Sequence, residues 1–182
     1  MQILLILLMM HPTLQHKHTA KEHDMPESIF QQVSLDILRL HQHTARSLLA
    51  VPHDEAAEIH DTVFAMIEGR YYMLVPQSAA LCDKRTGILL IETDDAQARI
   101  SWVASARTIQ HKSNIYRRAL AALQRRVQQT KQSLNQAAEA CLLELTPQQG
   151  RLTLRNNRDF ALSPHDLMKA LYPASYDMKK YA

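Results

Sequence analysis

The sequence predicts an α+β fold: a mainly antiparallel sheet or small barrel, with one long helix and a C-terminal helix. Two observations carry this. Short alternating or apolar segments come in two runs, separated by one long amphipathic stretch, and strands and helices do not alternate as a doubly wound sheet requires. The second run, Ala140–Tyr172, reads as strand, turn, strand, strand and capped helix, a closing unit for an antiparallel sheet. A chain of 182 residues is long enough for one domain with a real core.

Gln2–Met10 is a nearly pure apolar run, too short to span a bilayer as a helix. No positive residue precedes it and no small-residue cleavage site follows. It is read as a disordered or interface-seeking tail, with a weak export signal as the alternative. His11–Pro26 is polar and His-rich, a linker. The expected organisation is therefore a tail over residues 1–27 and one domain over 28–182, with no stable membrane insertion.

Ser28–Ala45 predicts a helix, because Ile29, Val33, Ile37 and Leu40 share one face of a 3.6-residue period. Ser47–Val51 is an apolar strand closed by Pro52, and Pro52–Glu58 an acidic loop. Ile59–Ile67 and Tyr71–Val75 flank Glu68-Gly69-Arg70, a hairpin with Gly at the turn. Pro76–Thr86 is irregular. Gly87–Glu92, GILLIE, is a continuous apolar strand of the kind buried on both faces or turned to a second copy. After an acidic turn at Thr93–Ala98, Arg99–Thr108 alternates Ile100, Trp102, Ala104 and Ala106 against Ser101, Val103, Ser105 and Arg107.

Ser113–Ala140 is the long helix, with Ser113 as N-cap. Its apolar stripe runs through Ile115, Leu120, Leu123, Val127 and Leu134, and its arginine-rich side is read as a solvated face. Ala140–Leu145 is a short apolar strand, and Thr146-Pro147-Gln148-Gln149-Gly150 has turn chemistry. Arg151–Arg155 alternates as a half-buried strand, Asn156-Asn157 breaks it, and Asp159–Leu162 is a further short strand. Ser163 then caps a helix with Pro164 at its first position and Asp166 in its first turn.

Composition excludes several function classes. A net charge of +3 is not a nucleic-acid signature, and 3 glycines leave no Gly-rich nucleotide loop. Cys82 and Cys141 have no CxxC spacing and read as small buried apolar residues in a reducing compartment. Ten histidines crowd the first third, among them His41 and His43, and read as a solvated tail and helix surface, since HKH is not the spacing of a closed zinc site. No nucleophile elbow, P-loop or HExxH is present. His165, in the first turn of the terminal helix, and His111 could each ligate a metal or haem iron, or serve as surface or cap residues. The tyrosines read as half-buried packing groups. Arg107 and Lys112, near the start of the long helix, could hold a phosphate or propionate there; the alternative is a salt bridge to Asp94, Asp95 or Glu92.

Together these segments resemble the HugZ/HutZ-type haem-utilisation proteins, within the pyridoxamine 5′-phosphate oxidase-like split β-barrels. ARISWVASARTI (Ala98–Ile109) looks like the family's strand leading into its long helix. LTPQQGRLTLRNNRDFALSPHDL (Leu145–Leu167) is similar to its closing passage. LHQHTARSLLAV and the Glu68–Val75 hairpin take the places of its first helix end, first strand and central hairpin. The likeness spans most of Leu35–Leu171.

The resemblance implies an FMN-binding-like split β-barrel, a cytoplasmic homodimer that binds haem near the subunit interface, and in some members haem breakdown. FMN is the alternative cofactor, as in sister families, with Arg107 and Lys112 near it. A cofactor-less structural or regulatory barrel is the third reading. Where the family carries a Ser, His and Asn-Leu passage, this chain reads PQSAALCDKRTG, leaving Ser78 and Arg85 as polar contacts. Where haem-ligating members place a C-terminal His, this chain has no His after Leu167. The iron ligand implied is then His165, with Tyr172 as the other candidate.

Overall fold

The structure, a computed structural model, describes residues 25–44, 46–53, 56–76, 86–130, 140–155 and 158–173. In chain order the elements are α1 (Glu27–His43), β1 (Arg46–His53), β2 (Ala56–Ile67), β3 (Arg70–Pro76), β4 (Thr86–Glu92), β5 (Ala98–Ile109), α2 (Asn114–Thr130), β6 (Ala140–Leu154), β7 (Arg158–Leu162) and α3 (Pro164–Leu171). All strand pairs are antiparallel, in the order β3-β2-β1-β4-β5-β6-β7. A further pairing of β3 with β6 closes six of them into a barrel. The α+β barrel expected from the sequence is the fold observed.

Alternation decides which side chains fill the barrel. Leu49, Val51, Phe64, Tyr71, Met73, Leu89, Ile91, Ile100, Trp102 and Leu143 point inward into one cluster. Helix α1 adds Phe30, Val33, Ile37 and Leu40, and α3 adds Leu167 and Ala170. A second, smaller cluster lies outside the wall, where Ala119 and Leu123 of α2 cover Val63, Ala65, Tyr72 and Leu142. Among the described residues, no helix is long and apolar enough to cross a membrane.

The local chemistry explains the connections. Glu68 and Gly69 both have positive φ, 51° and 77°, which is the two-residue turn whose twist suits a hairpin. Ser113 Oγ accepts the Tyr116 N–H at 3.2 Å and starts α2. Ser163 and Asp166 form a reciprocal capping box at α3. The buried Asp166 carboxylate also accepts the Met25 N–H at 3.1 Å, tying the segment before α1 to α3.

Three expectations need correction. Thr146–Gly150 is not a turn: β6 runs unbroken from Ala140 to Leu154. Val103 faces Gln149 and Ala104 faces Pro147, so Gln148 is the extra residue of a β-bulge. A bulge is one of the few places where a strand tolerates proline, so the same residue types serve either geometry. Pro52 does not close β1, which continues to His53 with Pro52 opposite Ala57. Pro52 lies past the last β1–β4 pair, Ala50–Ile88, so its missing N–H costs no bond to β4. And His41 is not on a helix surface; it is 8% exposed. The second part of the predicted long helix, 131–139, falls outside the described residues.

Gly150 stands opposite Trp102 in the β5–β6 register. A Cβ built on it would lie 2.5 Å from Trp102 Cζ3, inside contact distance. Replacing Gly150 by Ala should therefore force the indole to move and lower stability by about 1–3 kcal/mol, the usual range for overpacking. Urea unfolding followed by the fluorescence of Trp102, the single tryptophan, checks this; an unchanged midpoint would contradict the close approach.

Candidate functional site

A cavity of about 410 Å³ opens where α1, α2 and the end of α3 meet β2. Leu38, His41 and Gln42 of α1 are spaced i, i+3, i+4 and share one helix face; Ala122, Arg125 and Arg126 of α2 repeat that spacing. Phe64–Met66 of β2 form the floor, and Leu171 and Tyr172 close one end.

His41 belongs to a buried polar chain behind this cavity. Its Nδ1 lies 2.7 Å from the Ile37 carbonyl, which can only accept, so Nδ1 carries the hydrogen. Nε2 must then accept from the Tyr71 hydroxyl at 2.7 Å. Burial, with a smaller push from the Arg126 charge, lowers the His41 pKa to about 4, against the bond to Ile37. Burial likewise raises the Tyr71 hydroxyl well above its ordinary value. The pair is neutral, and both imidazole nitrogens are engaged.

Arg126 is half-buried and turned inward. It donates to the carbonyls of Gln42 (2.8 Å), His41 and Thr44 (2.7 Å), the open end of α1. Its guanidinium also lies 5.4 Å from the Phe64 ring centre. Tyr172 follows the last turn of α3, its N–H bonded to the Met168 carbonyl at 2.9 Å. Its phenol is half-buried, and burial raises its pKa.

A second polar centre sits on the outer wall. Tyr72, Glu144 and Arg107 are cross-strand neighbours on β3, β6 and β5. Glu144 is 1% exposed. Its Oε1 accepts from Arg107 Nε at 2.7 Å and Arg70 Nη1 at 3.1 Å; its Oε2 accepts from the Tyr72 hydroxyl at 2.7 Å and Arg107 Nη2 at 3.1 Å. Burial alone would raise this carboxyl, but the Arg107 and Tyr72 hydrogen bonds and the two guanidinium charges outweigh it, and its pKa lies below the ordinary range. This is a paired, saturated charge centre, with no group left to act as a base.

The structure does not bring the sequence-derived candidates together. Tyr172 lines the cavity. His165 stands seven residues earlier, two turns or roughly 10 Å along α3, and is not part of the lining. Arg107 pairs with Glu144, not with Asp94, Asp95 or Glu92. Lys112 is exposed in the turn before α2. Ser78 and Arg85 lie outside the described residues, as does Cys82. Cys141 is buried, as expected.

Sequence reasoning missed His41, Arg126 and Glu144. His41 does carry a signal: with Val33, Ile37 and Leu40 it continues the apolar stripe. The four-residue step from Ile37 also suits a bond from its ring to a carbonyl one turn back. Glu144 interrupts an apolar strand, which marks a carboxylate that must find cations. Among the described residues no cluster of His, Cys, Asp and Glu could hold a bare metal ion. A haem would need one axial ligand, and tyrosine is one of the side chains that serve. The Tyr172 phenol, the apolar walls and an arginine at the rim fit such a group.

No protein-family model and no curated protein matches the sequence. Solved structures do match in fold. A haem-binding protein from Mycobacterium smegmatis superposes with TM-score 0.56 at 15% identity, over 74% of this chain. The match covers 59% of that protein, so the chain spans about three-fifths of its length. HutZ, the haem storage protein from Vibrio cholerae, matches with TM-score 0.55 at 16% identity, over 66% of this chain and 92% of HutZ. A Clostridium acetobutylicum protein of the pyridoxinephosphate oxidase family, related to general stress protein 26, gives TM-score 0.57 at 8% identity over 75% of this chain and 98% of its own. At these identities the likeness establishes the fold, the split barrel that the sequence resemblance implied.

His41 gives this site a defined pH response. Below pH 6.5 the unfolded chain protonates this imidazole, while the folded protein does so only near pH 4. Stability therefore falls as pH drops through that window, by roughly 1.4 kcal/mol per unit of pKa difference. Chemical denaturation of wild type and His41→Gln between pH 7 and 4 should show a shallower loss in the variant. Parallel curves would mean that His41 is not the group held neutral.

Proposed function

We propose that this chain, with the split-barrel fold of the pyridoxamine 5′-phosphate oxidase-like proteins, binds haem near a homodimer interface in the service of haem-iron utilisation in the cytoplasm. The observation that carries the reading is Tyr172 at the mouth of an apolar-walled cavity of about 410 Å³. That size falls within the range of small-molecule sites. Two solved structures of the same fold have titles naming haem, which supports the choice of ligand.

Haem, when bound, supplies iron for redox and oxygen chemistry. Tyr172 is the residue assigned toward the iron, with His165 as the alternative. His41 is not a ligand, because ligation would break two buried hydrogen bonds. Its part is to hold Tyr71 and the α1 terminus in place behind the cavity. The FMN reading draws support from the pyridoxinephosphate oxidase neighbour. Against it, Arg107 commits Nε and Nη2 to Glu144 and has little left for a phosphate.

The second copy would sit on the outer face of β1, β4 and β5. Ile59, Ala50, Ile88 and Val103 form one cross-strand row there, beside Leu48 and Leu90. Helix α2 covers the outer face of β2 only further along, at Val63 and Ala65. The apolar outward residues of GILLIE are thus left for a partner, and Ile59 is among the most exposed large apolar side chains described. Ile59 is five residues from Phe64 on β2, about 17 Å, so the interface and the cavity are neighbours.

Haemin titration should give a saturable Soret band near one haem per chain. Tyr172→Phe should weaken binding at least tenfold, about 1.4 kcal/mol, and more than His165→Ala does. The absence of a saturable band, or tight FMN binding in its place, would overturn the reading; ascorbate added to a saturated complex then tests haem breakdown. Light scattering should find a dimer that Leu90→Glu converts to monomers, and a monomeric wild type would refute the interface.

A further inference from the structure

The cavity's two neighbouring arginines have different fates. Arg126 is taken up by three backbone carbonyls and an aromatic face. Arg125 is exposed at the rim and has no ion pair among the described residues. No Asp or Glu is among the lining residues, and His41 is neutral. The walls are otherwise largely apolar, from Leu38, Phe64, Met66, Ala122 and Leu171. A concave apolar surface with one uncompensated cation and no anion discriminates by charge: an apolar body enters, and a carboxylate or similar anion on it is received at the rim.

The geometry points to Arg125 as the specificity-determining residue of this cavity, selecting apolar ligands that carry an anionic group. The inference deepens the haem reading and rests on it only for which ligand is natural. The propionates of haem have this chemistry, and so has a long-chain fatty acid. Arg126 has the other role, closing α1, so loss of the two adjacent side chains should have unlike consequences.

The test measures binding of four probes to the full chain: haemin, the dimethyl ester of haemin, palmitate, and 8-anilinonaphthalene-1-sulfonate. Wild type, Arg125→Glu, Arg125→Lys and Ala122→Phe are compared. Arg125→Glu, on an exposed side chain, should keep the melting temperature of wild type. It should weaken haemin or another anionic probe at least about tenfold, the scale of one charge-assisted contact. Arg125→Lys should restore most of that loss, the uncharged ester should bind both proteins alike, and Ala122→Phe, which fills the cavity, should weaken every probe. Equal binding of the anionic probes to wild type and Arg125→Glu overturns the inference, as does a wild type that binds none of them. Arg125-dependent binding of palmitate or the sulfonate without haemin upholds it and removes haem as the ligand.

Discussion

Strand β6 is hydrogen-bonded along both edges, and the barrel exists because of it. One edge runs the length of β5. The other is shared, with β3 on Ala140–Leu145 and β7 on Gly150–Leu154. A strand of this length must bend to serve two partners, and the bulge at Gln148 falls between the two pairings. Just past the bulge, Gly150 lets the Trp102 ring lie against the backbone. Closure removes the open edges through which sheets aggregate and sets which face of each strand looks inward, so the core follows from it.

The helices are attached by polar devices as much as by apolar ones. Arg126 joins α2 to the C-terminal carbonyls of α1, while Lys169 of α3 reaches Glu27 and the Phe30 ring of α1. Asp166 holds the backbone before α1. Each bond joins segments far apart in sequence, so each is formed only once the barrel has brought the helices together. The cavity is the gap those attachments leave.

Period-two and 3.6-residue patterns made most of this fold legible. Ile100, Trp102, Ala104 and Ala106 point inward as their spacing requires, Gly69 marks a real hairpin turn, and Ser163-Pro164 with Asp166 is a capped helix start. What sequence could not give is register. Whether Pro147 makes a turn or sits in a bulge depends on what β5 offers opposite it. Register also decides that Glu144 meets Arg107 and Tyr72, from strands 37 and 72 residues away. The candidate site was less legible for the same reason. Tyr172 was found because it stands near the end of the chain, where the resemblance directs attention. His41 and Arg126 act through neighbours that only the folded chain supplies.

Adjacent residues on a helix point about 100° apart, so in a pair such as Arg125-Arg126 only one side chain can face the neighbouring helix squarely. Here the helix opposite presents its C-terminal carbonyls, the negative end of a dipole, and Arg126 answers them. That leaves Arg125 beside the same cavity with its charge unmatched. The arrangement separates two tasks that a single arginine could not perform together, since a guanidinium bonded to three carbonyls has few donors left for a ligand. A barrel wall made of regular strands has its polar backbone groups already paired. The open carbonyls and unmatched charges that can recognise a ligand therefore gather where helix ends meet the wall.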